Sequence, residues 1–437
     1  MVVTIVVLLI LAGVSISLVV DKNGIIQKSK DARREYGQAK ANEQEDLSNL
    51  SDMIEEATGK VTLAKVPVGT KASKNGTING EAGNSNNPTI PKGYIPIDTA
   101  TSTWGDGGSA PSQDSVNHGL VIKDEQDNEW VWVPVDSTTL ATMYEESSDE
   151  KTLCGTTGET AVKTKIYSKS ITIGTDSNKT TMTRATPGKS NGYREPDLVV
   201  GSDGARYDAK DTYYKKILGE TGTKEQLAQL FVDEYKAMIE SVSKYGGFYI
   251  GRYELSEVGV QKDKATLTST NWYNLYNACR NSKLQASDKV KTQMIWGCQW
   301  DTTMNWLISS GAKTSDEVNK DSSSWGNYNN TSVKADDGTT VLKANGKDQK
   351  LNTGKTTFTM ANNIYDLAGN CWEWTQEAYD TYHRAGRGGL YNFNGSYSPA
   401  SFRNLYYPDV SYSSVGARFS SHFNNKVTLD SRAWAPV

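Results

Sequence analysis

The chain has 437 residues, with 47 Lys and Arg against 51 Asp and Glu and a formal net charge of −4. That length exceeds one small domain and leaves room for a large core. The mixed charges form no basic stripe, which argues against a nucleic-acid partner. Four cysteines (Cys154, Cys279, Cys298, Cys371) include no CxxC pair and accompany only three histidines, so a zinc site is not expected. Cys298 and Cys371 sit among tryptophans and read as small buried thiols. Outside the cell a disulfide is compatible with the count, which leaves its pairing open.

Residues 1–20, MVVTIVVLLILAGVSISLVV, carry no charge and suffice to cross a hydrocarbon layer of ~30 Å. No basic stretch precedes them and no A-x-A site follows, which disfavours a cleaved signal peptide. Residues 21–58 are strongly charged, with Ile25, Ile26, Tyr36, Leu47, Leu50, Met53 and Ile54 widely spaced among them. That spacing suits a polar helix lying against identical neighbours. An apolar helix running into a polar one resembles the N-terminal module of type IV pilins and pseudopilins, although the basic leader with its cleavage glycine and the early glutamate of that family are missing. The resemblance implies attachment to the membrane through this helix, pilin-like subunits as partners, and a bacterial cell-surface location, membrane-anchored or pilus-associated.

Residues 59–93 are small and polar and read as a flexible linker. Residues 94–437 form the globular domain, with a Thr/Ser/Lys-rich insertion or hairpin excursion near 145–190. EWVWVPV (129–135) alternates apolar residues up to a proline, predicting a strand with one buried face. Thr223 and Gln226 form a capping box, after which Leu227, Leu230, Phe231, Tyr235, Met238, Ile239 and Val242 recur at helical spacing. The pair Gly246-Gly247 closes that helix with a left-handed cap. FYIGRYEL (248–255) reads as the next strand and MIWGCQWDTTMNWL (294–307) as a second amphipathic helix.

In YDLAGNCWEWT (365–375), Asp366, the backbone near Gly369 and Cys371, and Glu373 gather around a glycine-bearing turn. Hard oxygen ligands grouped in this way suit Ca²⁺. The competing reading has Asp366 capping a turn and Glu373 paired with Arg387 or Arg418. Trp372 and Trp374 read as core. EWVWVPV, the Tyr253-Glu254 pair, YDLAGNCWEW, GRGG (386–389) and GAR (416–418) together resemble the formylglycine-generating-enzyme, or sulfatase-modifying-factor, family over roughly residues 120–425. The resemblance implies an α+β, C-type-lectin-like fold and a structural Ca²⁺ at the positions matching Asp366, Gly369, Cys371 and Glu373. Oxidase members hold copper(I) with two cysteines shortly after the glycine pair, because soft thiolates select that ion. Here the matching positions fall near Ser398 and Arg403, and no cysteine follows Cys371. Copper is therefore not expected, and neither is enzymatic activity. His118, His383 and His422 are too scattered in sequence to suggest an iron site.

Residues 390–414 hold five Tyr, two Phe, six Ser and three Asn among 25 residues, and their only charges are Arg403 and Asp409. This is the composition of an antibody-like paratope, large rigid rings among small adaptable hydrogen-bonding groups. The candidate ligand-binding residues are Leu390, Tyr391, Asn392, Phe393, Asn394, Tyr397, Ser398, Phe402, Asn404, Leu405, Tyr406, Tyr407, Asp409, Val410, Tyr412, Ser413 and Ser414. The bland alternative is a Tyr/Ser-rich strand-and-loop segment with half-buried rings. Most of these residue types are reachable from one asparagine codon by changing its adenines. In that respect, and in its place near the end of a lectin-like domain, the segment resembles the variable region of proteins diversified by retroelements. The resemblance implies an extracellular protein or glycan as ligand. An oxidase of the formylglycine-generating family and a minor structural pilin are the alternatives.

Overall fold

The computed structural model describes residues 116–168, 193–199, 213–280 and 290–423, with short pieces between 70 and 97 and the strand pair at 171–173 and 180–182. The chain divides into two units, Met1–Thr62 and Leu63–Val437, and every described residue belongs to the second. The apolar stretch 1–20 and the polar extension 21–58, with the membrane and pilin readings built on them, lie outside the described residues. Among the described residues, no helix is long and apolar enough to cross a membrane.

Two sheets and three helices organise this mixed α+β unit. Its principal strands are β1 (Tyr94–Pro96), β2 (Val121–Asp124), β3 (Glu129–Pro134), β4 (Gly247–Gly251) and β5 (Val290–Met294). They continue with β6 (Trp372–Ala378), β7 (Arg384–Arg387), β8 (Arg403–Tyr406), β9 (Val415–Ala417) and β10 (Phe419–Phe423). The larger sheet is antiparallel throughout, in the order β5-β10-β4-β3-β2-β1. The smaller runs β8-β7-β6-β9, with only β6 and β9 parallel. Helix α1 (Lys224–Tyr245) packs on β4 and β10, α2 (Trp272–Arg280) on β5, and α3 (Gly297–Ser309) on both β3 and β6. Helix α3 therefore couples the two sheets.

Local signals place these elements. The Thr223 hydroxyl accepts from Gln226 N–H at 3.2 Å and the Gln226 side chain accepts from Thr223 N–H at 3.0 Å, so the first turn of α1 has its orphan donors satisfied. Gly246, at φ 75°, ends it. Leu227, Phe231, Tyr235, Met238 and Val242 are buried along one face, with Leu230 and Ile239 half-buried beside them. Each such side chain contributes ~1.5–3 kcal/mol on burial.

Two expectations are corrected. Strand β3 is not one-faced: Trp130, Val131, Trp132 and Val133 are all buried. The cover comes partly from the stretch read as a linker. Short strands at 70–72, 78–79 and 89–90 form a small sheet, Thr89 and Ile90 are buried, and the Trp132 indole donates to Ser85 O at 3.0 Å. The Tyr249 hydroxyl donates to Thr89 O at 3.0 Å. Residues 84–86 and 88–91 thus belong to the domain, with Ser85 and Thr89 held by large aromatics that a composition-based reading cannot pair with them. Within 145–190, Lys151–Thr152 pairs antiparallel with Lys163–Thr164 and Ile171–Ile173 with Thr180–Met182. All four cysteines are buried thiols outside any disulfide.

Candidate ligand-binding surface

Strand β6 is buried along its whole length, and both halves of the YDLAGNCWEW motif are consumed in holding it. Glu373 accepts from Arg418 Nη2 at 2.6 Å and Nε at 2.7 Å. Arg418 also donates to Gly251 O and Tyr365 O, each at 2.8 Å. Of the two arginines named from sequence, Arg418 is the partner. Asp366, in a left-handed conformation at φ 59°, accepts from the Thr353 hydroxyl at 2.9 Å and Gly354 N–H at 2.8 Å. Glu254, from the Tyr-Glu pair, accepts from Asn370 Nδ2 at 2.6 Å, Cys371 N–H at 3.2 Å and the Thr266 hydroxyl.

Three buried carboxyls therefore share one guanidinium. Burial pushes Glu254 well above the usual carboxylate range, with the charges of Asp366 and Glu373 adding to it. Burial also raises Asp366, and it pushes Glu373 up to about 7 against the pull of Arg418. A calcium ion needs six to eight oxygens free to face it. Here both oxygens of Glu373 face a guanidinium, and one oxygen of Asp366 takes two donors. Among the described residues, no group of three or more His, Cys, Asp or Glu is arranged to hold a metal. In this arrangement the carboxylates of Glu373 and Asp366 are held by Arg418, Thr353 and Gly354. Trp372 and Trp374 are fully buried, as core residues should be.

The GRGG run shapes the segment after it. Gly386 leaves room for a ring: a Cβ there would lie 3.1 Å from Tyr406. Gly389 sits at φ 93°, where a Cβ would meet Ser398 O at 2.4 Å and the Tyr328 hydroxyl at 2.7 Å. That hydroxyl lies 2.9 Å from both Gly388 O and Ser398 O, its single hydrogen shared between the two carbonyls. Arg387 donates to Asp301 at 2.9 Å and to Ser401 O and Phe402 O at 3.2 Å.

Many further bonds reach the backbone of 390–414 from outside. Tyr391 N–H donates to Asn370 O, Gly395 N–H to Asn330 Oδ1, Ala400 N–H to Ser322 Oγ and Ser401 N–H to Val318 O. In the other direction Asn329 N–H donates to Phe393 O and Trp300 Nε1 to Ala400 O. Toward the C-terminal end, Trp272 N–H donates to Pro408 O, Ser269 N–H to Tyr412 O and Trp372 N–H to Ser414 O. The backbone is pinned, and pinned mostly by residues that lie elsewhere in the chain.

The side chains fare differently. Asn392, Asn394, Tyr397, Leu405, Val410 and Ser413 are exposed, and so are Ser396 and Ser411, which the sequence reading missed although they are serines of the same run. Tyr391, Phe393, Phe402, Asn404, Tyr406, Tyr407, Asp409, Tyr412 and Ser414 are half-buried. Leu390 and Ser398 are buried and leave the candidate surface, since they flank the glycine turn that Tyr328 clamps. A chain of rings runs across the face: Phe393 to Tyr397 at 5.6 Å, Tyr397 to Phe402 at 6.4 Å and Tyr406 to Tyr412 at 4.8 Å. Phe402, Tyr406 and Tyr412 rest on the buried Trp372 and Trp374.

Two candidates stand apart from those rings. Strand alternation puts Leu405 opposite Ala385, on the other face of β8 from Asn404 and Tyr406. Tyr407 packs against His383 at 4.2 Å, in a small cluster with Val199, Ala378 and Tyr382. Arg403 is also withdrawn, bonded to Glu377 at 3.0 Å and to Asp301.

No protein-family model matches the chain, and no curated protein does. Among solved structures, Treponema denticola variable protein 1 is 14% identical, with a TM-score of 0.27, covering 40% of this chain and 85% of that one. The Major Tropism Determinant U1 variant is 13% identical, with a TM-score of 0.23, covering 41% of this chain and 51% of that one. PvdO from Pseudomonas aeruginosa is 12% identical, with a TM-score of 0.27, covering 63% of this chain and all of that one (100%). Overlaps this partial leave the function to be argued from the site itself. No cysteine follows Cys371 in the sequence, so residues 390–414 offer no thiolate pair for copper(I).

Proposed function

We propose that this is a non-enzymatic, ligand-binding surface protein whose C-type-lectin-like domain presents residues 390–414 as a binding face. One observation carries the reading. The backbone of that segment is held from outside by Tyr328, Trp300, Ser322, Asn330, Asn370 and Arg387, while most of its side chains reach solvent. A face built in this way changes its side chains without changing its shape, which is what a receptor diversified by a retroelement requires. Rigid Tyr and Phe rings supply contact area at low entropic cost, and Ser and Asn supply adaptable hydrogen bonds. Display at the bacterial surface through residues 1–20, alone or beside pilin-like subunits, belongs to the same proposal and rests on the sequence.

Deep sequencing of the gene's 3′ end across one cell population tests the diversified form. Substitutions are expected at Asn392, Asn394, Tyr397, Tyr406, Val410 and Ser413, with Gly389, Arg387 and Arg418 unchanged. A uniform 3′ end would reduce the protein to a fixed adhesin with one cognate ligand.

A further inference from the structure

Resting on that reading, the chemistry of the face narrows the class of ligand. Among the described residues, five large apolar side chains are well exposed, and three of them (Tyr397, Leu405, Val410) fall in 390–414. Tyr397 stands out at 68% exposure, on the ring-bearing face. The segment's charges are not presented with it: Arg403 is buried against Asp301 and Glu377, and Asp409 is half-buried. The fully exposed side chains of the segment are neutral.

A sugar is ordinarily gripped in two ways, by carboxylates or a metal that chelate hydroxyl pairs and by a flat ring on which the pyranose lies. Within 390–414 no fully exposed residue is a carboxylate, the exposed Asp321 lies beside Gly395, and most of the ring pairs meet at steep angles. Phe393 and Tyr397 meet at 79° and Tyr406 and Tyr412 at 61°, edge to face. Tyr397 and Phe402 come nearest to a stack, at 30°, but Phe402 is half-buried against Trp372. Corrugated, uncharged and aromatic, with an Asn and Ser rim, the face has the make-up of the anchor region of a protein interface.

We propose that the ligand is a protein, and that it docks an uncharged apolar patch around Tyr397, with Phe393, Phe402, Tyr406 and Tyr412 beneath and beside it. Such an interface gains little from long-range charge, so its affinity is insensitive to salt.

The full chain is panned against a phage-displayed random peptide library and, in parallel, applied to a glycan array. Enriched peptides are expected to carry Leu, Phe, Met or Trp and few charges. Their affinity should hold within about twofold from about 0.1 to about 0.5 M NaCl. Tyr397→Ser should weaken them at least about tenfold, whereas Val341→Ser, at an exposed apolar position outside the segment, should not. Peptides that are charged and salt-sensitive, that survive Tyr397→Ser, or that fail to enrich at all would overturn the proposal. Glycans retained by the chain and lost with Tyr397→Ser would replace it with a sugar ligand while leaving the binding face intact. Hits of either kind that ignore every substitution in 390–414 would sink the binding face itself.

Discussion

At the scale of single residues, one phenol and one imidazole show how position sets the role. Tyr328 lies more than fifty residues from the glycines it serves, yet its hydroxyl bonds the carbonyls of Gly388 and Ser398 together. Tyr328→Phe leaves both carbonyls short of a donor in a dry place. The expected cost is about 1–3 kcal/mol, read from the urea midpoint, with faster amide exchange confined to residues 389–399. Unchanged exchange there would mean the clamp does not hold the loop. His422, buried in β10 beside Lys291, has its imidazole pushed down to about 3, by burial first and then by that lysine. The unfolded chain takes up this proton below 6.5 and the folded one not until about 3, so the group's contribution is complete above 6.5 and fades as pH falls. His422→Gln should therefore lose less stability than the parent between about pH 6.5 and about pH 4. Parallel acid arms in urea titrations of the two proteins would refute this.

At the scale of elements, the central fact is that β6 and β9, brought together in parallel, share one buried ion pair. Arg418 stands just beyond β9 and reaches Glu373 in β6, and it also bonds carbonyls of β4 and of the turn at Tyr365. The guanidinium thus fastens pieces that lie far apart in sequence. Arg418→Met strands a carboxylate beside two others, and thermal or urea unfolding should show a loss of about 3–5 kcal/mol. Pairing it with Glu373→Leu should recover part of that loss, because the uncompensated charge goes with it. The same packing explains why β3 and β6 have no wet face. Helix α3 lies against both strands, and Ser85 accepts from the Trp132 indole. Alternation along EWVWVPV reveals the strand but says nothing of what lies on its far side.

At the scale of the whole molecule, the buried Glu373 carboxylate is already neutralised by the Arg418 guanidinium. Neither added calcium nor a chelator should therefore shift its melting temperature, and a rise of several degrees with millimolar calcium would show that Arg418 yields to the cation. The sequence by itself determined the elements whose signals are local: helix α1 with its capping box and glycine stop, the strands at EWVWVPV and FYIGRYEL, and the core placement of Trp372 and Trp374. It also determined the aromatic, hydroxyl-rich make-up of 390–414, because composition needs no partner to be read. Only the tertiary structure decided which of those side chains are offered. Leu390 and Ser398 turned inward at a glycine clamp, Leu405 fell on the opposite face of its strand, and Arg403 was drawn back by Asp301 and Glu377. It likewise chose Arg418 over Arg387 for Glu373. The physical reason is common to all of these. Exposure and ion pairing are properties of groups distant in sequence, and folding alone brings them within bonding range.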